Sequence, residues 1–152
     1  MKQVANKQNG FSLVEGLVAL AVLSFSLLGI AGMISFGMKQ TVSTSMYSHA
    51  VFHAYEMLDR LKANRDNATG GNYDFSLTTL ANSPNSWSGS SQIVDVDRLA
   101  WLTSLEGYIN GSSGAVACAG NVCRVTVQWD DSRASNEDVG TVTQSVVMAI
   151  EL

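Results

Sequence analysis

Residues 10–39 read Gly10-Phe11-Ser12-Leu13-Val14-Glu15, then GLVALAVLSFSLLGIAGMISFGM over 16–38, then Lys39. From Gly16 to Met38 no side chain carries a charge. As a helix this stretch is about 35 Å long at roughly 1.5 Å per residue, enough for a hydrocarbon core of about 30 Å. Residues 1–10 (MKQVANKQNG) are polar, with Lys2 and Lys7 and no acid. Two lysines before the run favour a cytoplasmic N-terminus, and Lys39 after it opposes this only weakly. The rest of the chain is therefore expected outside the cytoplasm.

A secretory signal peptide would carry a shorter apolar core, about 7–15 residues, with small residues marking cleavage on its far side. This run is longer and no A-x-A site follows it. The expected processing site lies before the run, between Gly10 and Phe11. Glu15 is the residue that a plain anchor leaves unexplained, because a charge deep in hydrocarbon costs about 2.5–3.5 kcal/mol on insertion scales. Cleavage after Gly10 would place an ammonium group on Phe11, four residues before Glu15 and on the same helical face. Within one chain the two charges attract. Between chains, a bare Glu15 on an incoming helix can seek the amine of a subunit already in place. The alternative is a carboxylate in the headgroup layer, favoured by the helix dipole.

Gly10-Phe11-Ser12-Leu13-Val14-Glu15 followed by a long apolar helix resembles the class III signal of type IV pilins and type II secretion pseudopilins. The resemblance implies cleavage after Gly10 by a prepilin peptidase, N-methylation of Phe11, and a role for Glu15 in subunit assembly. Methylation keeps the positive charge, so the pairing survives it. Gly16 departs from the bulkier aliphatic residue usual there, and a helix-interior glycine costs about 1 kcal/mol relative to alanine. The proline that many major pilins carry inside the run is absent, and Gly29 and Gly32 supply the local weakness instead.

Beyond Lys39 the pattern turns amphipathic. Val42, Met46, Ala50, His53, Met57 and Leu61 recur at three- and four-residue steps, accompanied by Glu56, Asp59, Arg60 and Lys62. Gly70-Gly71 ends it. The expected organisation is a leader over 1–10, a long helix over 11–69 that spans the membrane over about 11–38, and a head over 70–152. His49 and His53 have an i,i+4 spacing that can hold a metal, but Ala50 replaces the metalloprotease glutamate and no third ligand follows. They read as a structural or solvent-facing pair. Residues 72–92, rich in Ser, Asn, Thr and Gly and holding Pro84, read as an irregular surface loop tethered by Tyr73, Phe75, Leu77 and Trp87. A second helix is expected from Asp95 or Asp97 as N-cap to about Glu106, with Leu99, Leu102 and Leu105 on one face and Trp101 in packing.

The C-terminal third alternates. Cys123, Val125, Val127 and Trp129 interleave with Arg124, Thr126, Gln128 and Asp130, and Val146, Met148, Ile150 and Leu152 repeat the period of two. Ala115–Ala119 pair across a Gly120-Asn121 turn, which sets Cys118 opposite Cys123 in a non-hydrogen-bonded position that accepts a disulfide. An exported head favours oxidation, and two buried free thiols are the alternative. The acidic stretch Asp130-Asp131 to Glu137-Asp138 lacks EF-hand spacing and reads as a solvated connection, while the carboxylate count leaves calcium open.

Three further segments narrow the resemblance. Leu27-Leu28-Gly29-Ile30-Ala31-Gly32, Arg60-Leu61-Lys62-Ala63-Asn64-Arg65, and the run from Trp101 through the cysteine hairpin to Val125-Thr126-Val127-Gln128-Trp129 resemble PilV-type minor pilins. The fold class expected is α+β and type IV pilin-like: a long N-terminal helix, half membrane and half amphipathic, packed on a small antiparallel sheet with a second short helix. The resemblance implies a minor subunit that initiates or modifies a type IV pilus, with roles in adhesion and twitching motility. Its implied partners are other minor and major pilins through the N-terminal helix, prepilin peptidase, the inner membrane, and a pilus-tip adhesin as a further candidate. The implied localisation is inner membrane as prepilin, with the head periplasmic, and then the pilus. A minor pseudopilin of type II secretion is the alternative within this class, and a monomeric membrane-tethered binding module the alternative outside it.

Formal net charge is −4, and loss of Lys2 and Lys7 with the leader would make it −6. An acidic head repels phosphates, so nucleic acid is not an expected partner. There is no G-x-S-x-G elbow, P-loop or paired-cysteine zinc site, so no catalytic residue, metal or cofactor is expected.

Overall fold

The computed structural model describes residues 12–132 and 142–152. Helix α1 spans Leu13–Ala63, and the chain divides into two compact units after Met38. The expected single helix to residue 69 is interrupted. Asn64 leaves helical geometry at φ −126° and ψ 55°, and a separate short helix α2 covers Arg65–Thr69. Gly70 caps α2, and Gly71 turns the chain at φ +75°, a conformation that favours glycine.

In the second unit α3 spans Ile93–Tyr108, and four strands form one antiparallel sheet in sequence order: β1 Phe75–Thr79, β2 Ser113–Ala119, β3 Val122–Asp130 and β4 Thr143–Glu151. This is an α+β, pilin-like layout. Alternation along β3 buries Cys123, Val125, Val127 and Trp129 and leaves Arg124 exposed. From α1, Ala50, His53, Ala54, Met57, Leu58 and Leu61 are buried at the three- and four-residue spacing of a single helical face. From α3, Trp101, Leu102 and Leu105 complete the core, while Val42, expected on the apolar face, is 47% exposed.

Two expectations need correction. The stretch over 72–92 is not wholly irregular, because it contains β1 and a 3-10 turn over Leu80–Asn82. Nor is Asp95 or Asp97 the N-cap of the second helix, since α3 begins one turn earlier behind Gln92. Asp95 instead lies in the first turn, accepting from Ser90 Oγ and pairing with Arg98, and Asp97 is held by Arg60 and Tyr73.

Gly114 of β2 is needed for close approach. A Cβ there would lie 2.3 Å from Trp101 Cζ3 and 2.6 Å from Cη2. The indole cannot retreat cheaply, because its Nε1 donates to the His53 carbonyl at 2.8 Å. One hydrogen bond and one missing side chain thus lock α1, α3 and β2 together.

Candidate functional site

Helix α1 starts at the segment that the sequence marks for processing. The Ser12 carbonyl accepts from Gly16 N–H at 3.2 Å, the first helical bond. Glu15 lies in the first turn, where the dipole favours a carboxylate, and it is exposed. Among the described residues it makes no hydrogen bond or ion pair. Gly10 and Phe11, the expected cleavage and methylation positions, lie outside the described residues. The sequence reading also missed that Ser12 and Glu15 have the S-x-x-E spacing of a capping box.

No residue in the apolar segment is buried. Leu13 is 79% exposed, Phe25 75% and Met33 77%, and every Leu, Val, Ile, Phe and Met between Leu13 and Met38 is at least 49% exposed. Covering such a surface is favourable by about 1.5–3 kcal/mol per large side chain, so the segment as a whole favours an apolar environment by tens of kcal/mol. Two of its serine hydroxyls are already satisfied. Ser24 Oγ donates to the Leu20 carbonyl at 2.8 Å and Ser26 Oγ to the Val22 carbonyl at 2.9 Å. Both hydroxyls can therefore enter hydrocarbon without an orphaned donor. Helix α1 is long and apolar enough to cross a membrane.

In the second unit, the polar groups are tied up structurally. His53 is buried, with Nδ1 2.8 Å from Glu56 Oε2, and Arg60 donates to Glu56 Oε1 and Asp97 Oδ1, each at 2.8 Å. Tyr73 donates to Asp97 Oδ2 at 2.6 Å and accepts from Asn64 Nδ2 at 3.1 Å. Burial pushes the Tyr73 phenol up, assisted by the bond to Asp97, to about 12. Burial also opposes ionisation of Glu56, but the bonds from Arg60 and His53 outweigh it and hold that carboxyl below its usual value of 4.5. His49 stacks on Tyr108 at 4.9 Å and His53 lies against the same ring at 5.3 Å, so both imidazoles are in ring contacts. Among the described residues no group of three or more His, Cys, Asp or Glu side chains is placed to hold a metal.

Cys118 faces Cys123 across the Gly120-Asn121 turn, and the two are joined by a disulfide. The acidic connection departs from expectation at one position. Asp131 is 7% exposed and accepts from Ser43 Oγ at 2.6 Å, so this carboxylate is not solvated. It lines a cavity of about 280 Å³ with Thr44, Tyr47, Trp129 and Gln144. Glu137 and Asp138, and any calcium ligation by them, lie outside the described residues.

A family model for the prokaryotic N-terminal methylation motif matches residues 5–31, which include Gly10, Phe11, Glu15 and the apolar run as far as Ala31. No curated protein and no solved structure matches the chain. The motif supports a type IV pilin or pseudopilin, a class that is structural rather than catalytic in general. It implies processing by a prepilin peptidase and assembly with other pilins. With the apolar helix, it fits anchoring in the inner membrane.

Proposed function

We propose that the chain is a minor pilin, of the PilV type, that enters a type IV pilus and helps to initiate or modify its assembly. The observation that carries this reading is the exposed, charge-free start of α1, interrupted only by Glu15 in its first turn, which has no partner among the described residues, inside a methylation motif. Peptidase removes residues 1–10 and Phe11 becomes the methylated N-terminus. Residues 11–38 hold the subunit in the inner membrane with the head, 70–152, on the periplasmic side. Hydrocarbon covers the apolar helix before assembly, and neighbouring helices cover it afterwards. Glu15 supplies direction to this exchange, because a carboxylate without a partner in lipid gains one beside a neighbour's Phe11 amine.

Deleting the gene in its native host tests the reading. Fewer surface pili and weaker twitching, with type II secretion unchanged, are expected. Normal pili with lost secretion would identify a pseudopilin, and no change in either would leave a tethered monomer.

A further inference from the structure

The two edges of the sheet are protected differently. Strand β1 is short, its register with β2 shifts between Phe75 and Thr78, and a 3-10 turn follows it directly. A short, irregular edge resists pairing with another chain. Strand β4 has none of these features. It pairs with β3 without a shift from Thr143↔Asp130 to Glu151↔Val122, over nine residues or about 30 Å. It contains no proline and no lysine, and Glu151 at its end is its only charge.

The hydrogen bonds just beyond each end of β4 fix which backbone groups face outward. Leu152 N–H donates to the Asn121 carbonyl at 2.7 Å, and Asp131 N–H donates to the Val142 carbonyl at 2.7 Å. Even-numbered residues of β4 therefore bond to β3, and alternation turns the N–H and C=O of Thr143, Ser145, Val147, Ala149 and Glu151 away from the sheet. Among the described residues nothing pairs with these groups. The same five side chains are exposed, Val147 at 55%.

We propose that the outer edge of β4 is a docking strand for an extended segment of a different, neighbouring subunit. Water can hydrate these groups one by one, but an extended strand matches the whole alternating row of donors and acceptors at this spacing. A second copy is the poorer occupant, because each chain carries a net charge of −4, or −6 without residues 1–10, and two acidic chains repel. A neutral or basic strand with Lys or Arg near Glu151 is complementary. That the strand belongs to a fellow subunit rests on the assembly reading above, whereas the free edge does not.

Residue-resolved hydrogen exchange on the full chain tests this in three states: purified in detergent, in native membranes, and in sheared filaments. The expected result is that the Ser145, Val147 and Ala149 amides exchange at least about tenfold more slowly in membranes or filaments than in the purified chain. Val146 and Met148 should be protected in all three. Val147→Pro removes one outward N–H and Val147→Lys adds a charge beside it, and neither breaks a bond to β3. Both should abolish the extra protection while Val146 and Met148 stay protected, and Val147→Thr should retain it. Equal exchange of the outward amides in all three states overturns the proposal, even if the chain is recovered in filaments. Protection of the purified chain that grows with its concentration assigns the edge to a second copy and overturns the choice of a different subunit. Edge protection in membranes, with no chain in filaments, upholds the docking strand and overturns the pilus reading alone.

Discussion

Replacing Glu15 with alanine removes the only charge from the first 26 residues of α1, Leu13–Met38, so membrane insertion should be unchanged or slightly easier. Filament entry should fall sharply, because a neighbouring Phe11 amine would then be buried without its counter-ion. Comparing membrane level, leader removal and recovery in sheared pili checks both halves. Equal recovery would mean that Glu15 is dispensable and that apolar packing alone recruits the subunit. In the second unit Gly114→Ala tests the lock on Trp101. Its Cβ would press on the fixed indole, so stability should fall by about 1–3 kcal/mol or more, as a lower unfolding midpoint at unchanged helix content. Glu15 stands out in the sequence because a charge in an apolar run is conspicuous. The need for glycine at 114 was not, since Trp101 meets it only through the fold.

Between elements, the chain from His53 through Glu56, Arg60 and Asp97 to Tyr73 ties α1 to α3 and to the turn before β1. Its pH dependence follows from the two shifted groups. Tyr73 is raised from 10 to about 12, so its contribution is complete below pH 10 and is lost as pH rises through about 12. Glu56 is depressed, so its contribution is present above 4.5 and is lost as pH falls through its lower folded value. Unfolding midpoints measured against pH should decline in both windows. Tyr73→Phe should flatten the alkaline decline and Glu56→Gln the acid one. The disulfide acts within the β2–β3 hairpin, where replacing both cysteines with serine should cost roughly 2 kcal/mol in the chain-entropy model. Strands β2–β4 were readable from alternation, which buries every second residue of β3. Strand β1 was not, because Leu77 is 46% exposed and edge pairing with β2, not burial, holds the segment. Asp97 was misread as a cap for a related reason: its partners Arg60 and Tyr73 lie 37 and 24 residues away.

At the scale of the whole chain, two kinds of surface coexist. The second unit buries its own core around Met57, Leu61, Trp101 and Val125, whereas the large apolar side chains of the first from Leu13 to Met38 are exposed. A protein with that surface requires lipid, neighbouring subunits, or each in turn. The methylation motif overlaps the start of the same surface. The methylation motif and the apolar helix were legible because a six-residue motif and a charge gap are local features, while the β4 edge became visible only once the strands were ordered. The most direct measurement is the intact mass of the chain recovered from sheared surface filaments of its native host. The mass expected is that of residues 11–152 with one N-methyl group on Phe11 and the cysteines oxidised. A chain confined to the membrane and still starting at Met1, or one cut after Met38, would contradict the account.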